Sequence, residues 1–460
     1  MLQFETLPAS LAVLLATLRP CFTAPSFRMF AVLVAGLIGQ PGRRTVTGML
    51  TGAGLAAVVH HGRAYRFFAG ARWSPDQLGL AVAGLVVRLL VPAGAPLLIA
   101  VDDTLFRRCG RRVHGAAWCH DGAAKGPRGH RVGWGNCWVI AGLVLSLPIL
   151  DRPVCLPVLA RLWQPGADRP TKQVLAGQLV TALAAACPGR VVHVVADAWY
   201  AGVDGAPGAA RGGTRARAGF PPGVSLTSRL RANAVLTAIA APDPDPDRRR
   251  RGGRPRRIGA RLGTPAQLAA AAAWTTSTVT RYGRTDTVQL AEVVCLWYGA
   301  YRSRAVRVIL VRDPDRRTPR AGYQLALIST DLTSPAAAIV DRYAARWSIE
   351  VAIEDAKQTT GVGQARNRVA AAVERTVPFG LLTQTLVVLW YATAGYHPDD
   401  VTDRRAAAPW YTSKTHPTYQ DMIIKLRRAL ITARFRAGKT RQPTPEETLA
   451  VQLAWADAAA

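Results

Sequence analysis

Through residues 1–94, apolar positions recur every three or four residues in Leu7–Leu18, Phe27–Leu37, Val46–Val59 and Gln77–Leu90, the spacing of amphipathic helices. Pro20, Gln40-Pro41-Gly42 and Trp73-Ser74-Pro75 interrupt them. Ser74 is placed to cap the fourth helix, with Pro75 at its first position. From Pro96 the texture changes. Leu97–Val101 is a short apolar run between Pro96 and Asp102-Asp103-Thr104, which suits a buried strand. Cys137–Leu147 and Val154–Trp163 read as two more strands and Thr171–Ala186 as a helix closed by Pro188-Gly189. Arg190–Ala196 is a β-branched run ending at Asp197. Residues 201–265, rich in Gly, Pro and Arg, read as loop. Ser277–Arg312 alternates as strands do, and Tyr323–Ser329 is a further strand. Ser334 and Pro335 open one helix running to about Thr359; Val377–Trp390 and the basic Tyr419–Phe435 stretch are helical.

Strands followed by a helix and a further strand predict an α/β fold. The pattern divides the chain into a helical 1–94, whose basic helix start at Gly42-Arg43-Arg44-Thr45 suits a phosphate; an α/β part in two stretches, 95–204 and 322–395; a segment with a basic loop and β-strands between them, 205–321; and a basic helical tail, 396–460.

Charge changes this picture. Lys and Arg number 58 against 29 Asp and Glu, a formal net charge of +29. Such a surface favours a polyanion, above all nucleic acid. Seven cysteines without a CxxC pair fit a reducing cytoplasm rather than a disulfide scaffold. The first residues lack a basic segment before their apolar stretch, and no apolar run is both long and unbroken, so no signal peptide or membrane span is expected.

Two strand ends present an acid, Asp103 and Asp197, and a helix carries Glu350. Converging carboxylates would hold hard divalent cations through oxygen. Tyr343, Arg346, Glu350 and Lys357 fall within one helical stripe, combining a phenol, a guanidinium, a carboxylate and an ammonium. Spacing alone also allows a solvated face with Arg346–Glu350 ion pairing.

The run Tyr343-x2-Arg346-x3-Glu350-x6-Lys357 resembles the Y-x2-R-x3-E-x6-K signature of bacterial DDE transposases of insertion sequence family four. Asp341–Gly361 looks like that family's C-terminal catalytic region, Asp102-Asp103-Thr104 resembles its first catalytic strand, and Val194–Gly202 its second. The resemblance spans about Pro96 to Trp390. It implies an RNase H-like core, a mixed five-stranded sheet with helices, with a β-rich insertion between the second Asp and the Glu. It further implies that Asp103, Asp197 and Glu350 hold Mg2+, with Mn2+ able to substitute, and that Tyr343, Arg346 and Lys357 contact DNA phosphates. The family's Asp directly precedes Thr, which favours Asp103; Asp102 would then point to the other side of the strand. Arg254 and Arg256 lie in a Gly-Arg-Pro-Arg-Arg segment similar to a basic stretch of these transposases. The implied partners are double-stranded DNA, both transposon ends and target, and a second copy of the chain in a homodimeric synaptic complex, in the bacterial cytoplasm at the nucleoid. The alternatives are a DDE-type nuclease without strand transfer and a non-catalytic DNA-binding derivative.

Overall fold

The computed structural model describes residues 6–122, 132–202, 220–241, 257–317, 319–437 and 442–458. It divides into two compact units, each assembled from separated stretches of chain. The first comprises Met1–Ala93, Asp103–Arg169 and Ile349–Ala460; the second comprises Gly94–Asp102 and Pro170–Ser348. The strands in chain order are β1 (Leu97–Arg107), β2 (Ala117–His120), β3 (Val132–Leu145), β4 (Val154–Trp163), β5 (Val192–Ala196) and β6 (Val224–Arg229). They continue as β7 (Leu236–Ile239), β8 (Ile258–Gly263), β9 (Thr275–Arg281), β10 (Arg284–Cys295), β11 (Val306–Arg312) and β12 (Leu325–Ser329). Strand β1 begins in the second unit and ends in the first, changing unit at Asp102–Asp103.

The core of the first unit is the helix Ala370–Trp390, whose residues from Thr376 to Trp390 are all buried. Its Phe379 meets the edges of Phe30, Phe67 and Phe68, with ring centroids 5.3–6.1 Å apart. The Thr385 hydroxyl donates to the Pro157 carbonyl of β4 at 2.6 Å, and the Gln384 amide to the Ala352 carbonyl at 2.9 Å. By length and composition the stretch Ala370–Gly395 could cross a membrane, but 83% of its most apolar window is buried inside the chain. That is the environment of a core helix. The helices Ala24–Gly39 and Val46–Gly52 touch through glycines: a Cβ on Gly36 would lie 1.8 Å from the Met49 carbonyl oxygen, and one on Gly52 2.2 Å from that of Gly36. In this unit β2 and β4 pair antiparallel with β3.

In the second unit the strand order is β1-β5-β6-β12-β11-β10-β9. The pairs β1–β5 and β5–β6 are parallel, and β6–β12 onward are antiparallel. The sheet is therefore mixed. One face packs Val288, Leu290, Ile309, Val311 and Leu327 against Ile339 and Val340 of the helix Ala336–Ala345. β7 and β8 form a separate antiparallel pair.

Two expectations need correction. The segment 201–265 is not all loop: it contains β6, β7 and β8, and β6 lies inside the sheet between β5 and β12. Its Val224-Ser-Leu-Thr-Ser run alternates apolar and polar as a strand does, but flanking Gly, Pro and Arg obscure it. The helix expected from Pro335 to Thr359 is two helices, Ala336–Ala345 and Trp347–Gln358. At the junction the Arg346 amide donates to the Tyr343 carbonyl, three residues back rather than four, which tightens the turn.

Candidate active site

The parallel strands of the second unit fix the site's frame. Val101 is level with Ala196 and Ala196 with Ser228. The next residues along, Asp102, Asp197 and Arg229, thus stand at one level: Asp197 just past the end of β5 and Arg229 at the end of β6, while β1 does not end at Val101 as expected but runs on through Asp102, Asp103 and Thr104 to Arg107. Adjacent strands lie about 4.8 Å apart, so the two acids are close neighbours. Asp197 also caps the short turn Ala198–Tyr200, accepting the Trp199 amide at 2.9 Å. The Arg346 guanidinium reaches the same place: its Nη1 is 3.6 Å from Asp102 Oδ2, both side chains largely shielded from solvent. It also lies over the Tyr343 ring, 5.7 Å from the centroid.

Tyr343 reports the electrostatics of this neighbourhood. Burial pushes its phenol pKa above the ordinary value; Arg346 and Arg229 oppose that, and the charge of Asp197 adds to it. Tyr343 therefore feels Arg346, Arg229 and Asp197. Pattern reading missed Arg229 because the strand that carries it was itself hidden.

The first unit holds the remaining residues. Lys357 donates from Nζ to Thr104 Oγ1 at 2.6 Å and lies 5.4 Å from the centre of the Phe106 ring. Burial lowers its ammonium pKa, with Asp121 pulling the other way. Asp121 Oδ2 accepts from Arg107 Nε and Nη2 at 2.9 and 2.6 Å. Lys357, Arg107, Asp121, Leu105, Phe106, Val362 and Gly363 line an open cavity of about 390 Å3. Asp103 Oδ2 accepts a hydrogen bond from Cys137 Sγ at 3.5 Å. Glu350 is half-buried in the first turn of Trp347–Gln358. Arg254 and Arg256 lie outside the described residues.

Three carboxylates are the right donors for a hard divalent cation. Among the described residues, however, no three His, Cys, Asp or Glu side chains are gathered closely enough to hold one. The chemistry of the donor set suits the ion, and the register brings Asp102 and Asp197 side by side.

A mixed parallel–antiparallel sheet that sets Asp102, Asp197 and Arg229 at one level defines an α/β protein with a charged polar site. The sequence says which: residues 17–292, more than half of the chain, match the model of the DDE superfamily endonucleases, and the protein belongs to that family. The matched stretch includes Asp103 and Asp197 and ends before the helix of Glu350. No curated protein matches. Among solved structures, a piggyBac transposase synaptic complex with hairpin DNA is similar at 9% identity, covering 98% of this chain and 82% of that chain, with a TM-score of 0.37. A likeness at that score carries no argument about function.

Proposed function

We infer that this DDE superfamily endonuclease is the transposase of an insertion sequence, which binds terminal inverted repeats, cleaves a strand at each end and joins the freed 3′ ends to target DNA. One observation carries the reading. Two cations of the four-residue signature reach one strand: Arg346 stands at Asp102 and Lys357 at Thr104. A merely solvated helix face has no reason to direct its cations at the Asp-Asp-Thr run of β1.

In this reading the core is RNase H-like. Within the second unit β1, β5 and β6 run parallel and β12 antiparallel to β6, the mixed orientation this reading needs. The β1 acid Asp103, by its position before Thr104, with Asp197 and Glu350 would hold Mg2+, which would supply positive charge at the scissile phosphate and a more acidic water. The chain's own groups bind and orient the DNA. Arg346 and Arg229 offer forked donors to phosphate oxygens, Lys357 a point charge, and Tyr343 a hydroxyl. Two copies would hold the two ends together, on the chromosome in the bacterial cytoplasm.

The test is Mg2+-dependent cleavage of duplex DNA bearing the element's own terminal repeats, followed by strand joining to a plasmid. Cleavage with joining supports the transposase. Cleavage without joining leaves a nuclease, and end binding without either leaves a DNA-binding derivative.

A further inference from the structure

We propose that the hairpin of β2 and β3 carries a docking surface for single-stranded DNA, on which an unpaired base stacks on Trp118 while its phosphates meet Arg111, Arg112 and Arg368; this rests on the reading of the protein as a DNA-processing enzyme and extends it from duplex ends to an unpaired strand. The placement follows from the strands. Side chains alternate across a sheet. Cys119 packs into a core cluster with Leu105 and Cys137, so its neighbours Trp118 and His120 face solvent. Trp134 is the register partner of Trp118, and the two indoles meet edge-on with ring centroids 5.9 Å apart. Trp134 supports Trp118 from one side, yet Trp118 stays 70% exposed. So large an apolar ring, held in place without a cover, is the form an aromatic takes at a contact surface.

The surroundings say which partner fits. Trp134 Nε1 donates to the Gly110 carbonyl at 3.1 Å, and a Cβ on Gly110 would lie 3.9 Å from Arg368 Nε. Gly110 thus joins the indole pair to a guanidinium, and the exposed Arg111 and Arg112 follow it directly. This stretch is pinned in place. The His114 amide donates to the Arg368 carbonyl at 2.9 Å, and Asn136 Nδ2 to the His114 carbonyl at 2.9 Å. Arg108, half-buried, donates to neutral acceptors only, Asn136 Oδ1 and the Gly363 and Ala365 carbonyls. Among the described residues none of these four arginines is ion-paired to a carboxylate. Unbalanced guanidiniums beside an open indole match a strand whose bases are uncovered and whose phosphates are anionic. In a duplex the base faces are covered by their neighbours, and the indole has nothing to stack on. A second copy of a chain of formal charge +29 would set like charges against each other.

Fluorescence anisotropy on the full-length chain, without divalent ions, compares a labelled blunt duplex of arbitrary sequence with the same duplex carrying a single-stranded thymidine extension of about ten nucleotides. The parent is expected to bind the extended duplex more tightly. Trp118→Ala is expected to lower that affinity by about fivefold or more and to leave the blunt duplex unaffected, as loss of one stacking platform does. Trp118→Phe, which keeps a ring, is expected to restore part of the preference. The double variant Arg111→Ala with Arg112→Ala covers the case in which Trp118→Ala fails to fold, and should flatten the salt dependence on the extended duplex more than on the blunt one. Melting temperature and size in solution are recorded for every variant. Equal binding of both DNAs by the parent overturns the assignment. So does a folded Trp118→Ala protein that keeps the parent's preference or loses affinity equally for both, or a double variant indistinguishable from the parent. A Trp118→Ala protein that keeps the preference but changes its oligomeric state gives the surface to a second copy, and overturns it too. These outcomes leave the transposase reading to its own test of cleavage and joining. Failure of the parent to bind either DNA sinks that reading, and this inference with it.

Discussion

Asp355 is an acid in a poor place. Burial first, and the neighbouring charge of Glu354 second, push its carboxyl pKa up to about 6. A carboxyl whose pKa is higher folded than unfolded holds a proton that the unfolded chain releases. Its contribution is therefore favourable below the usual carboxylate range, declines as the pH rises toward about 6, and is a fixed cost beyond it. Asp355→Asn removes that cost. It should raise the melting temperature near neutral pH and change it little below the usual carboxylate pKa, which calorimetry at the two pH values would show. Glu350→Gln should do the opposite in kind: abolish cleavage of terminal-repeat DNA while end binding, followed by gel shift, and the melting temperature both persist. Retained cleavage would return the helix to a solvated face, where such a change costs only a few tenths of a kcal/mol. At this scale the position of Asp197 just past an apolar strand was readable, because an acid after an apolar run is a local pattern; the single helical stripe from Tyr343 to Lys357 was not, since the helix breaks at Arg346.

Elements were readable where their own periodicity declares them. The helices Ala9–Ala16, Ala24–Gly39 and Pro75–Leu90, the strands β3 and β4 and the helix Lys172–Ala186 lie where the pattern placed them, whereas the helix expected over Val46–Val59 stops at Gly52, His61–Ala69 is an unexpected helix, and β1 runs past Val101 to Arg107. The missed break at Arg346 has a plain reason: no Pro or Gly marks it, and one shortened hydrogen bond makes it. Packing between elements sets two further outcomes. Gly36→Ala would drive a methyl group into the Met49 carbonyl, so the helices Ala24–Gly39 and Val46–Gly52 must separate; overpacking of this kind costs about 1–3 kcal/mol. Phe379→Ala, which removes the ring that Phe30, Phe67 and Phe68 share, should cost about 3–5 kcal/mol. Both are measurable by denaturant unfolding, and a Gly36→Ala protein as stable as the parent would contradict the close approach.

For the whole molecule, a formal charge of +29 sets the long-range behaviour. Binding to any duplex should weaken steeply as salt is raised, with a linear fall of log affinity against log salt whose slope counts the phosphates neutralised. An affinity indifferent to salt would mean the excess charge faces elsewhere. Division into units was the least readable property. Composition shifts are local features of the chain, whereas the first unit recruits residues from its beginning, middle and end. Nothing in a local pattern encodes which distant stretches will share a core. Removing residues 1–94 should accordingly do more than subtract end recognition: circular dichroism should show the first unit losing cooperative unfolding, because the helix Ala370–Trp390 loses Phe30, Phe67 and Phe68 together.

The buried helix Ala370–Trp390 has a consequence for how the chain is made. A ribosome delivers the chain from its amino end, at about 5–20 residues per second. The apolar sides of Ala24–Gly39 and Pro75–Leu90 therefore emerge long before the helix that covers them. The wait is on the order of tens of seconds at that pace, during which sticky surface is open to other nascent chains and to chaperones. A truncated translation product ending before Ala370 should accumulate as aggregate, however complete its earlier elements are. The yield of soluble protein should rise when elongation is fast relative to aggregation, or when a holdase shelters the early helices.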